Sequence, residues 1–215
     1  MSTAKFSNDL ASGFESGTLS AVVDTVFSLD AIAELDVRVA RAFAEAANLA
    51  LADRATRSFD ETWEQPWGES RYVRNRYNEM SVRLTEKNPP GRSFVVVFRV
   101  FDEGVGFRYE LPDQPQLRDV NIGDELTEFA IAEPGAAWWI PGGEWNRYEY
   151  LYRRTALDGV AQAHTPLTIR TDSGVHIAIH EAALVDYSAM WLRRVDGTRL
   201  KATLSPAAQG ARVKR

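Results

Sequence analysis

The apolar positions of this chain change their spacing once. Between residues 31 and 53, Ile32, Leu35, Val39, Phe43 and Leu49 recur near helical spacing in an alanine-rich background, with Asp30 placed to cap the first turn. That pattern predicts one amphipathic helix over 31–53. After Arg57 short alternating runs replace the alanines and predict strands. Met80, Val82 and Leu84 alternate with polar neighbours, Pro89-Pro90-Gly91 supplies a turn, and residues 94–101 form an almost unbroken apolar run suited to a central strand. Asp102-Glu103-Gly104 then reverses the chain into Val105, Phe107, Tyr109 and Leu111, so a hairpin is expected. Further strands are predicted at 125–132, 148–153, 167–171, 175–179 and 200–204, punctuated by Pro141-Gly142-Gly143, Asp172-Ser173-Gly174 and Asp196-Gly197. Many short strands divided by turn signals predict a mainly β chain of antiparallel sheets, a sandwich or a barrel, preceded by a helix. The composition shifts near residue 55, which sets off segment 1–55 from the β region, and the basic tail 209–215 is expected to be loose.

Composition narrows the classes of function. With 215 residues, 45% hydrophobic and 26% charged, the chain can bury one sizeable core. A formal charge of -5 argues against a nucleic-acid partner, whose phosphates demand clustered lysine and arginine. The absence of cysteine excludes a disulfide framework, a thiolate metal site and a cysteine nucleophile. No run approaches the roughly 20 apolar residues that span a bilayer, so no membrane partner is expected. The first ten residues lack the basic and apolar regions of a secretory signal, and the chain reads as unexported.

Candidate chemistry is sparse. His176 and His180 stand four apart, which would gather two metal ligands on a helix. The segment Val-His-Ile-Ala-Ile-His alternates as a strand, however, and there four residues separate side chains by about 13 Å. Two surface or pocket-edge histidines are expected. A glycosidase needs paired carboxylates, but thirty acidic residues make chance pairs common. Glu181 stands out because it ends an apolar strand and precedes Ala-Ala-Leu-Val, a position where binding residues project and where a turn-capping role is the alternative. Trp138, Trp139, Trp145, Tyr148, Tyr150 and Tyr152 cluster within a short stretch. Such rings suit stacking on sugars and suit a sandwich core equally. Trp139 and Trp145 are the candidates for carbohydrate contact, because the Pro141-Gly142-Gly143 turn is expected to expose them. No catalytic motif is present: there is no Gly-x-Ser-x-Gly elbow, phosphate loop or dinucleotide fingerprint.

The stretch Phe59-Asp60-Glu61-Thr62-Trp63-Glu64-Gln65-Pro66-Trp67-Gly68-Glu69, followed by Arg76-Tyr77-Asn78-Glu79, resembles the opening signature of the N-terminal domain of glycoside hydrolase family 97. Residues 98–109, 125–129, the Trp138-Trp139 and Tyr148-Glu149 segments and Glu181-Ala182-Ala183-Leu184-Val185-Asp186-Tyr187 follow in the family's order. The resemblance spans about 56–208. It implies an antiparallel β-super-sandwich of the galactose-mutarotase-like type, which in the family precedes a (β/α)8 barrel and a small C-terminal β domain. Family members act on α-glucosides or α-galactosides, are usually periplasmic or exported, and carry their catalytic carboxylates in the barrel. The resemblance also implies an active-site calcium, held mainly by the barrel with one glutamate lent by the sandwich, here Glu181. Because calcium takes six to eight oxygens, this chain alone is expected to bind it only feebly.

Segment 1–55 departs from the strands and signal sequence that usually open the domain, and the sequence reaches only to the family's handover from sandwich to barrel. The expected partners are therefore a family 97 barrel and an α-linked oligosaccharide, with catalytic acid, base and nucleophile supplied elsewhere. Two other readings are a self-standing carbohydrate-binding module built on the Trp138 to Tyr152 cluster, and a non-functional product exposing the apolar face that meets the barrel.

Overall fold

The computed structural model describes residues 22–23, 49–117, 127–144, 146–184 and 187–205. They fall into two compact units, the first holding 49–117 and the second the remainder. The first strand in chain order, β1 (Val22–Val23), belongs to the second unit.

The first unit is one antiparallel sheet of β2 (Leu49–Glu64), β3 (Tyr72–Glu86), β4 (Ser93–Phe101) and β5 (Gly104–Glu110), paired in that order. The predicted central strand at 94–101 and its hairpin into β5 are both present. Phe94, Val96 and Val100 on one face and Val95 and Val97 on the other are all buried, which is why the run is continuous rather than alternating. On β3, Met80, Val82 and Leu84 are buried at a period of two. Each such side chain contributes about 1.5–3 kcal/mol.

The expected helix is corrected where it can be seen. Residues 49–53 lie in β2, with Leu49 opposite Glu86 and Leu51 opposite Leu84, while 31–48 lie outside the described residues. The compositional shift near residue 55 falls inside this one strand, so no boundary exists there.

β4 meets β3 only between Asn78 and Thr85. Beyond that point β2 and β3 continue as a two-stranded ribbon to Glu64 and Tyr72. A bare ribbon is marginal in water, and this one is braced by cross-strand pairs. The Phe59 and Tyr77 rings stack at 5.1 Å, Arg74 grips Asp60 with two bonds of 2.8 and 2.6 Å, and Ser58 bonds Asn78 at 2.7 Å. At the base Glu79 accepts from Arg57 at 2.6 Å and from Arg99 at 2.7 Å. The Arg57 hydrogen bond, opposed by burial, helps to hold the Glu79 carboxyl below its ordinary range. At the tip the Gln65 N–H donates to the Arg71 carbonyl at 2.9 Å, and Gly68 takes a φ of 115° that a side chain would strain.

The second unit is a sandwich. One sheet runs β1, β6 (Glu128–Ala130), β13 (Arg199–Leu204), β12 (Met190–Asp196) and β9 (Gln162–His164). The other runs β11 (His176–Ile179), β10 (Leu167–Thr171), β7 (Gly135–Trp139) and β8 (Arg153–Ala156). All pairings are antiparallel except that of β1 with β6. Ala163, Leu192 and Leu200 from the first sheet meet Ala137, Trp139, Leu167, Ile169 and Ile179 from the second in one buried cluster. The mainly β, antiparallel sandwich expected of the sequence is the fold observed.

Two strand predictions are corrected. The strand expected over 125–132 is confined to Glu128–Ala130 among the described residues. The one expected over 148–153 is absent until Arg153: residues 148–152 form an irregular strap, closed by a Tyr150 N–H to Tyr148 carbonyl bond of 2.9 Å. The tail 209–215 lies outside the described residues.

Candidate functional site

Glu181 lies in the irregular segment between β11 and β12 and is half-buried. Both of its oxygens are engaged: Oε1 accepts the Met190 N–H at 2.7 Å and Oε2 accepts the Thr165 hydroxyl at 3.0 Å. Two donors from different strand ends therefore fix the plane of the carboxylate. Each oxygen keeps a further lone pair for a cation or a hydroxyl.

Thr165 follows His164, whose ring is fully buried at the end of β9. The His164 ring lies 3.9 Å from that of Tyr148 and 6.2 Å from that of Trp191. Its Nε2 lies 3.0 Å from the Arg147 carbonyl; because a carbonyl only accepts, this nitrogen carries the proton, and Nδ1 is buried with no partner among the described residues. The dipeptide His164-Thr165 thus pins the aromatic strap with one side chain and Glu181 with the other. No sequence signal marks a role for His164, which stands apart from the histidine pair at 176 and 180. Those two, His176 on β11 and His180 just beyond it, are exposed.

Burial holds the His164 imidazole below its ordinary range of about 6.5. A histidine whose folded value is depressed favours folding fully above its unfolded value and less as pH falls toward the folded one. Urea midpoints of the chain are thus expected to fall as pH drops below about 6.5, and part of that slope should vanish in His164→Phe. The variant should also lose about 1 kcal/mol at neutral pH with the Arg147 bond. Identical pH slopes for the two proteins would exclude the assignment.

Trp139 is corrected as a surface candidate for sugar stacking. It is 2% exposed, within the sandwich core, and its Nε1 donates to the Thr155 hydroxyl at 3.1 Å. Alternation along β7 turns Ala137 and Trp139 inward. Trp138 faces the other way, and Arg154 lies 5.3 Å from its ring on the paired strand. Trp145 lies outside the described residues. Among the described residues the exposed aromatic rings of this region are Tyr148 and Tyr152, with Leu151 between them. Among the described residues no three His, Asp or Glu side chains gather as a metal site.

The chain matches the glycosyl-hydrolase 97 N-terminal family over residues 29–212. It is similar to solved structures of a glycoside hydrolase family 97 enzyme from Pseudoalteromonas sp. strain K8, among them complexes with panose and with acarbose, at 43% identity and a TM-score of 0.72. That likeness covers 77% of this chain and 25% of the enzyme's. A crystal structure of a beta-arabinopyranosidase, 22% identical with a TM-score of 0.67 over 76% of this chain and 28% of that one, shares the fold. The family match begins well before residue 56, in line with a β2 strand that starts at Leu49. The chain belongs to glycoside hydrolase family 97, of which it is the N-terminal domain.

Proposed function

We propose that this domain serves a calcium-dependent α-glycosidase by packing against a catalytic barrel and lending Glu181 to the calcium and substrate pocket. The observation that carries the reading is the family match along most of the chain, combined with a span of one quarter of the Pseudoalteromonas enzyme. The immobilised Glu181 carboxylate supports it further, because a ligand fixed before the metal arrives loses less freedom on binding. One carboxylate meets a small part of calcium's demand for six to eight oxygens, so most of the shell comes from the barrel. The bound ion would supply charge stabilisation at the sugar. The role of this chain is to hold Glu181 through Thr165 and Met190. An α-linked oligosaccharide is the expected substrate of the assembled enzyme.

The purified chain is expected to release no product from aryl α-glucosides or α-galactosides, with or without calcium, and to bind calcium with a Kd weaker than about 1 mM. Calcium-dependent hydrolysis by the chain alone, or a tight calcium site that survives Glu181→Gln, would overturn the reading.

A further inference from the structure

We infer that the outer edge of β2 is an interface between two copies of this chain, which pair antiparallel about a two-fold axis at Phe59. The inference goes beyond the proposed function and does not depend on it.

β2 is an edge strand of 16 residues. Among the described residues it pairs with β3 alone, and from Leu51 to Glu64 every residue but Phe59 is exposed. A long exposed edge is a template for another strand. The direction of its free groups follows from the tip, where Gln65 bonds Arg71. In an antiparallel ladder bonding alternates, so Trp63, Glu61, Phe59 and Arg57 turn their N–H and C=O groups to β3. Ser58, Asp60, Thr62 and Glu64 turn theirs outward.

Two identical edges can join only in registers that bring outward residues face to face, with the axis passing through one residue. An axis at Arg57 sets Arg54 against Asp60 but also Asp53 against Glu61 of the second copy, so that its opposite charges are offset by like ones. Axes at Ser58 or Asp60 bring no opposite charges together. The axis at Phe59 sets Arg57 against Glu61 and Arg54 against Glu64, each repeated by symmetry, with no like charges opposed. It also sets Thr56 against Thr62 and the small Ala55 against Trp63. Glu61 has no ion-pair or hydrogen-bond partner among the described residues, and this pairing gives it one. Phe59 meets its own mate, which extends the Phe59 and Tyr77 stack into a row across the axis. Two ribbons that are marginal as pairs of strands become one four-stranded sheet.

Sedimentation equilibrium of the 215-residue chain is expected to show a dimer that weakens with salt. Thr62→Pro removes an outward N–H and leaves the β3 ladder intact, so it should yield a monomer with an unchanged circular dichroism spectrum. Glu61→Arg should raise the dissociation constant at least about tenfold by facing Arg57. The chain has no native cysteine, so Phe59→Cys reads the register by itself: the two thiols sit on a close, non-hydrogen-bonded pair and should cross-link on oxidation. Glu61→Cys should cross-link at least about tenfold more slowly, because its opposite residue is Arg57. A wild-type monomer at all concentrations, a dimer indifferent to Thr62→Pro, or equal cross-linking at 59 and 61 would each overturn the inference. If Thr62→Pro loses the fold, the cysteine pair still decides it.

Discussion

Replacing Trp139 with alanine is expected to cost the second unit about 3–5 kcal/mol, the range for emptying a large aromatic from a packed core. The ring is 2% exposed within the cluster that joins both sheets, so little can collapse into its place. The Thr155 hydroxyl also loses its indole donor, though it keeps a bond of its own to the Ala156 carbonyl at 2.8 Å. For a unit of this size the loss should lower the thermal midpoint by about 10 °C or more. Trp139→Phe, which retains most of the apolar volume, should recover the larger part. An alanine variant that melts within about 2 °C of the wild type would show that Trp139 is not a core residue.

Gly135→Ala is the second large effect, and it acts through space rather than backbone freedom. Gly135 pairs with Thr171. A Cβ built there would stand 2.3 Å from the Arg170 carbonyl oxygen and 2.8 Å from the Thr171 Cα. Both neighbours are backbone of β10, the strand between β7 and β11, so neither can yield without disturbing the sheet. Overpacking of this kind costs about 1–3 kcal/mol. Denaturant midpoints should fall accordingly, with amide exchange accelerated first at the Gly135 and Thr171 end of the ladder. Gly104, where an added Cβ would meet nothing within 4 Å, is the control that should tolerate alanine.

The parts of this fold that the sequence made legible share a physical cause. In β10 and β13 each face meets one environment and burial leaves a period of two, whereas β4, buried on both faces, reads as an unbroken apolar run. β2 was not legible, because Leu49 continues the helical spacing of the preceding alanine-rich stretch while its pairing with β3 sets the actual conformation. Tertiary pairing overrides a local pattern there. β7 opens with Gly135, Ala136 and Ala137, residues too small to announce a strand, and their smallness serves the close approach of β10. Tyr148, Tyr150 and Tyr152 alternate as a strand would, yet the His164 ring and the Arg147 carbonyl gather that stretch into a strap. At the site, Glu181 could be singled out from its place after an apolar strand and from the family resemblance. Its two donors could not, since Thr165 and Met190 meet it only through the fold. Trp139 shares the inward parity of Ala137 on β7, and that parity, not the nearby Pro141-Gly142-Gly143 turn, sets its burial.

The strand order of the second unit bears on when this domain can form. β13, the last strand of the described chain, lies between β6 and β12 in the five-stranded sheet. Among the described residues, until Arg199–Leu204 has left the ribosome β6 has no antiparallel neighbour and β12 has one free edge. β12 and β13 form a local hairpin, but the pairing of β6 with β13 joins segments far apart in sequence and is slow to find. The nascent domain therefore passes through a stage in which these described edges are open, until β13 is delivered between them.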